Sequence, residues 1–204
     1  MAIVSRQLMA LFSTSSLAVM GVNAQDMASV EQVAQGYNTQ IAQARTLTKS
    51  YASALQNTLK PALKSSGPAG ALKACNVSVP SITKAVNNQS KWQVSRTSLK
   101  PRSQANMPSD WEKSVLLHFE SQKQQGVNPK ALEASAIIER GNKRYLRYMK
   151  AIPTAQKPCL TCHGTNIKPQ LLQQIRLLYP QDKAIGFNAG DLRGAFSLTL
   201  PFLE

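Results

Sequence analysis

Three features predict an α+β fold. Apolar residues recur at helical spacing through residues 30–63, polar and β-branched residues alternate through residues 92–99, and two strand-like runs flank the Gly141-Asn142 turn. Helices come first and antiparallel strands follow. Hydrophobic residues make up 43% of the 204-residue chain and charged residues 17%, which excludes a disordered chain and leaves room for about one domain.

The elements follow in order. Val30, Val33, Tyr37, Ile41, Ala44, Leu47, Tyr51, Leu55, Leu59 and Leu63 succeed one another by three or four, which predicts a long amphipathic helix over residues 25–66. Pro61 is expected to kink or end it. Ser65-Ser66-Gly67-Pro68 is a break, and Pro68 suits the first turn of a second helix with Leu72, Cys75 and Val79 on one face. Residues 92–99 read as a strand. A two-proline loop from Lys100 to Pro108 precedes a helix capped by Ser109 or Asp110, carrying Trp111, Val115, Leu116 and Phe119 and ended by Gly126. Ala134–Glu139 and Lys143–Ile152 form a hairpin, Lys168–Leu178 a short helix, and Gly194–Phe202 a last strand. The domain proper is expected over residues 67–204.

The first 24 residues place the protein outside the cytoplasm. Arg6 is followed by an apolar stretch from Leu8 to Val22 and by Val22-Asn23-Ala24, with small residues where a signal peptidase reads. The pattern predicts a signal peptide over residues 1–24, a mature start at Gln25 and a periplasmic location. An uncleaved membrane anchor is the alternative, although the stretch is short and rich in hydroxyls for a span. Lys plus Arg is 24 against 10 Asp plus Glu, a net charge of +14. Such a charge suits nucleic acid, an anionic membrane or an acidic protein. Export removes nucleic acid. The basic residues are scattered, as on a solvated surface, so weak contact with an anionic membrane is the most that is expected of that charge.

The chemistry is concentrated at Cys159-Leu160-Thr161-Cys162-His163, a haem attachment signature. Two thiols separated by two residues match the two vinyl groups of one haem, and the adjacent His163 falls beneath the iron as axial ligand. Two of the three cysteines and one of the two histidines lie in these five residues. A structural zinc site wants four ligands, with only Cys75 and His118 left to complete one. A thioredoxin-like pair belongs near an early strand, whereas this one lies late in the chain behind Lys157-Pro158. A plain disulfide leaves His163 without a purpose. For the other axial position the candidates are Cys75, His118, Met27, Met107 and Met149. Cys75 is the leftover thiol on a helix face; it is either a buried core residue or a thiol protected by a metal bond.

Further segments carry a resemblance. They include Gly67-Pro68 through Ala74-Cys75, Trp92 through Leu99, Arg102 through Pro108, Asp110-Trp111-Glu112, Arg147 through Ile152, Cys159 through Gly164, Tyr179-Pro180 with Asp182 and Gly186, and Arg193-Gly194-Ala195. From about Ala69 to the C-terminus the chain resembles exported bacterial c-type haem proteins and sensor ectodomains with a PAS-like fold. Ser103 departs from the Asn usual in that family, which touches a local loop hydrogen bond. The resemblance implies one covalent haem c on an antiparallel PAS-like sheet, with Cys75 as second axial ligand. Some relatives are parts of membrane-bound signalling proteins; this chain is expected to be the free-standing form.

The haem propionates want basic partners, and Arg96, Lys100 and Arg102 follow one another on a strand and its exit loop. The expected function is redox or gas sensing through a change of haem ligand, relayed to an unknown redox or signalling partner. Soluble periplasmic electron carriage is the alternative. A haem enzyme needs an open iron position and an acid–base group, and His118 is the only spare histidine, so no enzyme is expected. The long helix is free to pack on the domain, to pair with a second copy or to touch a receptor.

Overall fold

The computed structural model describes residues 24–202, with side chains from Glu31 onward. The expected signal peptide lies outside the described residues apart from Ala24. The chain divides into two compact units, one up to Tyr37 and one from Asn38 on. In the first, α1 (Ala24–Asn88) begins, and Val33 on its stripe is 72% exposed. The second holds the rest of α1, then β1 (Gln93–Thr97), α2 (Asp110–Gln124), β2 (Glu133–Arg140), β3 (Lys143–Pro153), α3 (Cys159–His163), α4 (Pro169–Leu178) and β4 (Leu192–Pro201). Among the described residues no helix is long and apolar enough to cross a membrane.

The break in α1 falls at Gly67, whose φ of 65° and ψ of −169° leave helical space. A positive φ suits glycine because it has no Cβ to clash. Pro61, expected to kink or end the helix, lies inside it instead. The two arms fold back on each other. The Tyr51 hydroxyl and Thr83 Oγ1 lie 2.6 Å apart, and they are equidistant along the chain from Gly67. Pro80, expected to interrupt the second arm, is likewise carried within it.

The fold is α+β, with the predicted antiparallel, PAS-like sheet and long N-terminal helix. Strand order is β1-β4-β3-β2, every pair antiparallel. The β2–β3 register places Arg140 opposite Lys143 around the Gly141-Asn142 turn, where the sequence puts it. Because side chains alternate across a strand, each strand serves two faces. On one face Met149, Ala151 and Ala195 pack with Leu116 and Phe119 of α2 and with Leu132 and Leu192. On the other, α1 crosses the sheet: Tyr51 meets Phe196 of β4 edge-on at 5.7 Å, and Arg45 Nε donates to Glu133 Oε1 of β2 at 3.0 Å. Ile41, Ala44, Thr48 and Tyr51, spaced three or four apart, are the buried residues of this arm. Burying a side chain the size of Ile41 contributes roughly 1.5–3 kcal/mol.

The edge strand β1 is tied to the end of α1. The Val94 backbone N–H donates to Asn87 Oδ1 at 2.7 Å, and Asn87 Nδ2 donates to the Val94 carbonyl at 3.3 Å. One amide thereby satisfies both outward backbone groups of an edge residue, as an extra strand would. The second arm of α1, which carries Cys75, is anchored to the strand that carries Arg96.

Candidate functional site

The connection from β3 to β4 holds the cysteine motif. α3 is a single turn with Pro158 at its N-cap, following a cis Lys157–Pro158 bond. On a helix, residues three and four apart share a face. Cys159, Cys162 and His163 therefore project from one side of this turn, while the intervening Thr161 is exposed. All three cysteines are free thiols.

His163 is held at one nitrogen. Its Nδ1 lies 2.7 Å from the Ala184 carbonyl oxygen and donates to it, which puts the lone pair of the neutral ring on Nε2. Among the described residues no hydrogen bond reaches Nε2. Burial first, then the charges of Arg193 and Arg102, push the imidazole well below its ordinary range; the Ala184 bond pulls the other way. The ring is neutral at physiological pH, the state a metal ligand requires. Phe187 stands edge-on to it, with ring centres 6.3 Å apart and planes at 90°.

The acceptor loop is fastened on several sides. The Phe187 N–H donates to the His163 carbonyl at 2.9 Å, and the Gly186 N–H to that of Gly164 at 3.0 Å. Asp182 Oδ1 accepts from the Ala184 N–H at 2.9 Å. Lys100, expected as a propionate partner, spends its ammonium on the Ile185 carbonyl and sits 4.4 Å above the Phe187 ring. Arg102, also expected as a propionate partner, is committed elsewhere. Its Nε and Nη2 pair with the Asp182 carboxylate at 3.2 and 3.3 Å, and Nη2 also donates to the carbonyls of Cys162 at 2.6 Å and Ala184 at 3.2 Å. The pair is nearly enclosed, with 11% and 4% of the two side chains exposed. Arg102 is thus a clasp between the cysteine turn and the acceptor loop.

Cys75 lies on the second arm of α1, one turn beyond Leu72. Leu72 packs with Leu171 and Ile175 of α4, and Cys162, Ile167 and Tyr179 pack against them. The thiol is half-buried; burial pushes it up and the charge of Arg96 draws it down. Burial also raises Cys162, and Cys75 and Cys159 are near enough to add to that rise. The fold therefore brings the three thiols and His163 to one place, although Cys75 is remote in sequence.

The other candidate ligands lie elsewhere. Met149 is fully buried in the core under α2, His118 is exposed on α2, Met107 is 52% exposed in the loop after β1, and the Met27 side chain is outside those described. Among the described residues no group of three or more His, Cys, Asp or Glu is placed to hold a bare metal ion.

Two cations complete the site. Arg96 on β1 acts on Cys75, His163 and Arg193 by charge, and among the described residues it has no carboxylate or hydrogen-bond partner. Arg193 at the start of β4 donates to Ser98 Oγ at 3.1 Å and to the Lys100 carbonyl at 3.3 Å; among the described residues no carboxylate forms an ion pair with it, although the charge of Asp182 acts on it. Burial first, then repulsion from Arg102 and Arg96, pulls its guanidinium down to about 10. Sequence reasoning gave no role to Arg193, Asp182, Phe187 or the Ala184 carbonyl. The first two stood in quoted segments, but their partners lie 80 or more positions away, so no local pattern marks them.

The donor set suits a covalently held haem. Two thiols and an oriented neutral imidazole share one helical face, a third thiol approaches on another helix, and two cations lack acidic partners, as two propionates require. Comparison with known proteins bears on this arrangement. No curated protein sequence matches the chain. The crystal structure of the cyanobacterial heme-protein Tll0287 matches with a TM-score of 0.53 and 24% sequence identity, over 90% of this chain and 99% of that one, which is a likeness of fold. The Tll0287-like family model matches residues 23–201. The chain belongs to the Tll0287-like family.

Proposed function

We propose that this protein is an exported c-type haem protein, holding one haem through thioether bonds from Cys159 and Cys162, with His163 and Cys75 as axial ligands, and that it senses redox state or a gas through a change of ligand at Cys75. The observation that carries the reading is His163: a neutral ring fixed through Nδ1 to Ala184, with Nε2 unengaged, one residue from a half-buried thiol. Its relative Tll0287 is a cyanobacterial heme-protein, which supports the cofactor.

When bound, the haem supplies a one-electron iron centre whose axial position can exchange. The protein's own residues do the rest. Asp182, Arg102 and Lys100 hold the loop that aims His163. Arg96 and Arg193 are suited to the propionates, and Arg96 also favours the thiolate form of Cys75. A thiolate donated by Cys75 would favour the ferric state of a bound haem, and a thiol that lets go of the iron would leave room for another ligand. Cys75 rides on the second arm of α1, so a displacement of Cys75 would be passed to the helix end that Asn87 anchors to β1. The reading includes no catalytic turnover, since His118 is exposed on the helix of the opposite face. It assigns the periplasm as location and a redox or signalling protein as partner, with a second copy along the N-terminal helix or weak contact with an anionic membrane as further associations of the basic chain.

Electron carriage is the second reading, and the clasp around His163 favours it because a fixed ligand keeps reorganisation small. Denaturing the purified protein and extracting it with acidic acetone tests the attachment: the colour stays with the chain, and its loss to the solvent ends the covalent assignment. A spectroelectrochemical titration with and without carbon monoxide separates the two readings. Gas binding on reduction, abolished together with any thiolate charge-transfer band in Cys75→Ser, supports sensing. A six-coordinate iron unchanged in both redox states supports carriage.

A further inference from the structure

We infer that Arg102 is a positioning residue that sets the ligand strength of His163 through the carbonyl oxygen they share. This rests on the reading of His163 as an iron ligand, and goes beyond it to the group that tunes the ligand. The Ala184 oxygen accepts from His163 Nδ1 at 2.7 Å and from Arg102 Nη2 at 3.2 Å. A carbonyl has two lone pairs, so it can accept both bonds; Nη2 has two hydrogens for the Cys162, Asp182 and Ala184 oxygens, so one of its N–H groups is shared between two of them. They are not independent. A cationic donor polarises the oxygen and draws density from it, which leaves less to pull on the Nδ1 proton. A ligating imidazole whose N–H is pulled harder becomes a stronger donor and favours the oxidised metal.

The geometry shows why Arg102 is bound to this task. Asp182 takes its Nε and Nη2, and the same carboxylate receives the Ala184 N–H at 2.9 Å. Asp182 therefore fixes both the cation and the peptide bearing the carbonyl. Arg102 also donates to the Cys162 carbonyl, the residue just before His163. One guanidinium thus registers the ligand's own turn against the loop that supplies its acceptor. Lysine has one nitrogen and cannot reproduce this fork.

The test uses the holoprotein with Arg102→Gln, Arg102→Lys and Asp182→Asn. In Arg102→Gln the Ala184 oxygen is freed for His163, and the ratio of oxidised to reduced protein at a fixed potential is expected to rise about tenfold, which is about 59 mV for one electron. The His163 Nδ1 proton, followed by NMR in the reduced state, moves downfield. Arg102→Lys keeps the charge but gives an intermediate shift of the same sign. Asp182→Asn leaves the cation less neutralised and shifts the ratio the other way. A residue that merely braced the loop lowers thermal stability and leaves the midpoint and the proton resonance in place; that result, in an Arg102→Gln protein with normal haem content, overturns the inference while the haem reading stands. If Arg102→Gln does not accumulate, opposite shifts in Arg102→Lys and Asp182→Asn support it, and equal or absent shifts overturn it. If the wild-type chain carries no covalent haem, the haem reading fails on its own. Nitrogen-15 shifts of His163 in the haem-free chain then decide: movement of Nδ1 on substitution of Arg102 supports the shared carbonyl, and an unmoved resonance overturns it.

Discussion

The two faces of the sheet bury arginines on opposite terms. Under α2, Arg147 Nη2 donates to Glu112 Oε1 at 3.0 Å and to Ser197 Oγ at 3.2 Å, and its guanidinium lies 4.6 Å over the Trp111 ring. Burial pushes the Glu112 carboxyl up, but bonds from Ser197 and Ser109 and the charge of Arg147 outweigh it and leave it below the usual carboxylate range. Around the cysteine motif, Arg102 has Asp182, but Arg96 and Arg193 have no acid of their own among the described residues. A buried cation without a counter-charge costs free energy. The α2 face is balanced within the chain. Among the described residues the motif face keeps a surplus of positive charge, with Arg193 enclosed and only the more distant Asp182 acting on it and Arg96 half-buried, which suits an acidic ligand, where the α2 face closes on a matched pair.

The comparison can be broken most heavily on the α2 face. Glu112→Gln leaves Arg147 buried and unmatched, and is expected to lower stability by about 3–5 kcal/mol, read as a smaller urea midpoint. The same carboxyl sets an acid limb. It binds its proton less readily folded than unfolded, so its contribution is fully present above the unfolded carboxylate range near about pH 4.3 and is lost as pH falls through the lower folded value. Glu112→Gln therefore also flattens the fall of stability with acid. A steep, wild-type acid limb in the variant places that dependence elsewhere.

A smaller effect is expected where the faces meet. Gly194 follows Arg193 and precedes Ala195 of the core; its φ is 154°, and a Cβ there would stand 2.3 Å from the Thr97 carbonyl oxygen of β1. Gly194→Ala strains the backbone by about 1–3 kcal/mol and forces β1 from β4. Chemical denaturation reads the stability loss, and the midpoint potential reads the displacement of Arg193. Loss of stability with an unmoved potential detaches Arg193 from the site.

The smallest effect is the one that sharpens the contrast. Arg96→Gln in the haem-free chain removes a cation that repels Arg193, so stability is expected to stay the same or rise by up to about 0.5 kcal/mol, within the range of ordinary surface substitutions. On the proposed haem reading the same change is expected to lower the midpoint potential, because Arg96 would no longer offset propionate charge. If Arg96→Gln destabilises the haem-free chain as strongly as Glu112→Gln, Arg96 is a structural cation and the contrast between the faces fails.

Much of this molecule is local and was legible in its sequence. Apolar spacing gives the long helix, since periodicity needs only neighbours. Gly141-Asn142 gives the β2–β3 turn and its register. Ser109, one of the two cap candidates, marks the start of α2; the structure adds Glu112, whose carboxylate accepts from the Ser109 backbone N–H at 2.8 Å and hydroxyl at 2.9 Å. Cys159, Cys162 and His163 share one face by spacing alone, because one turn of helix is all that is needed to align them. What the tertiary structure alone decided lies between distant residues. Pro61 reads as a kink or an end, yet the helix carries it within its length, and the reversal falls at Gly67, inside the Ser65–Pro68 break that the sequence marks, because glycine supplies the positive φ of the corner. Arg102 reads as one more basic residue beside Arg96. Its partners Asp182, Cys162 and Ala184 lie 60 or more positions away, and they make it a clasp while Arg96 keeps its charge unpaired. Charge is written in the sequence, but whether a charge is spent or available depends on which distant carboxylate the fold brings to it.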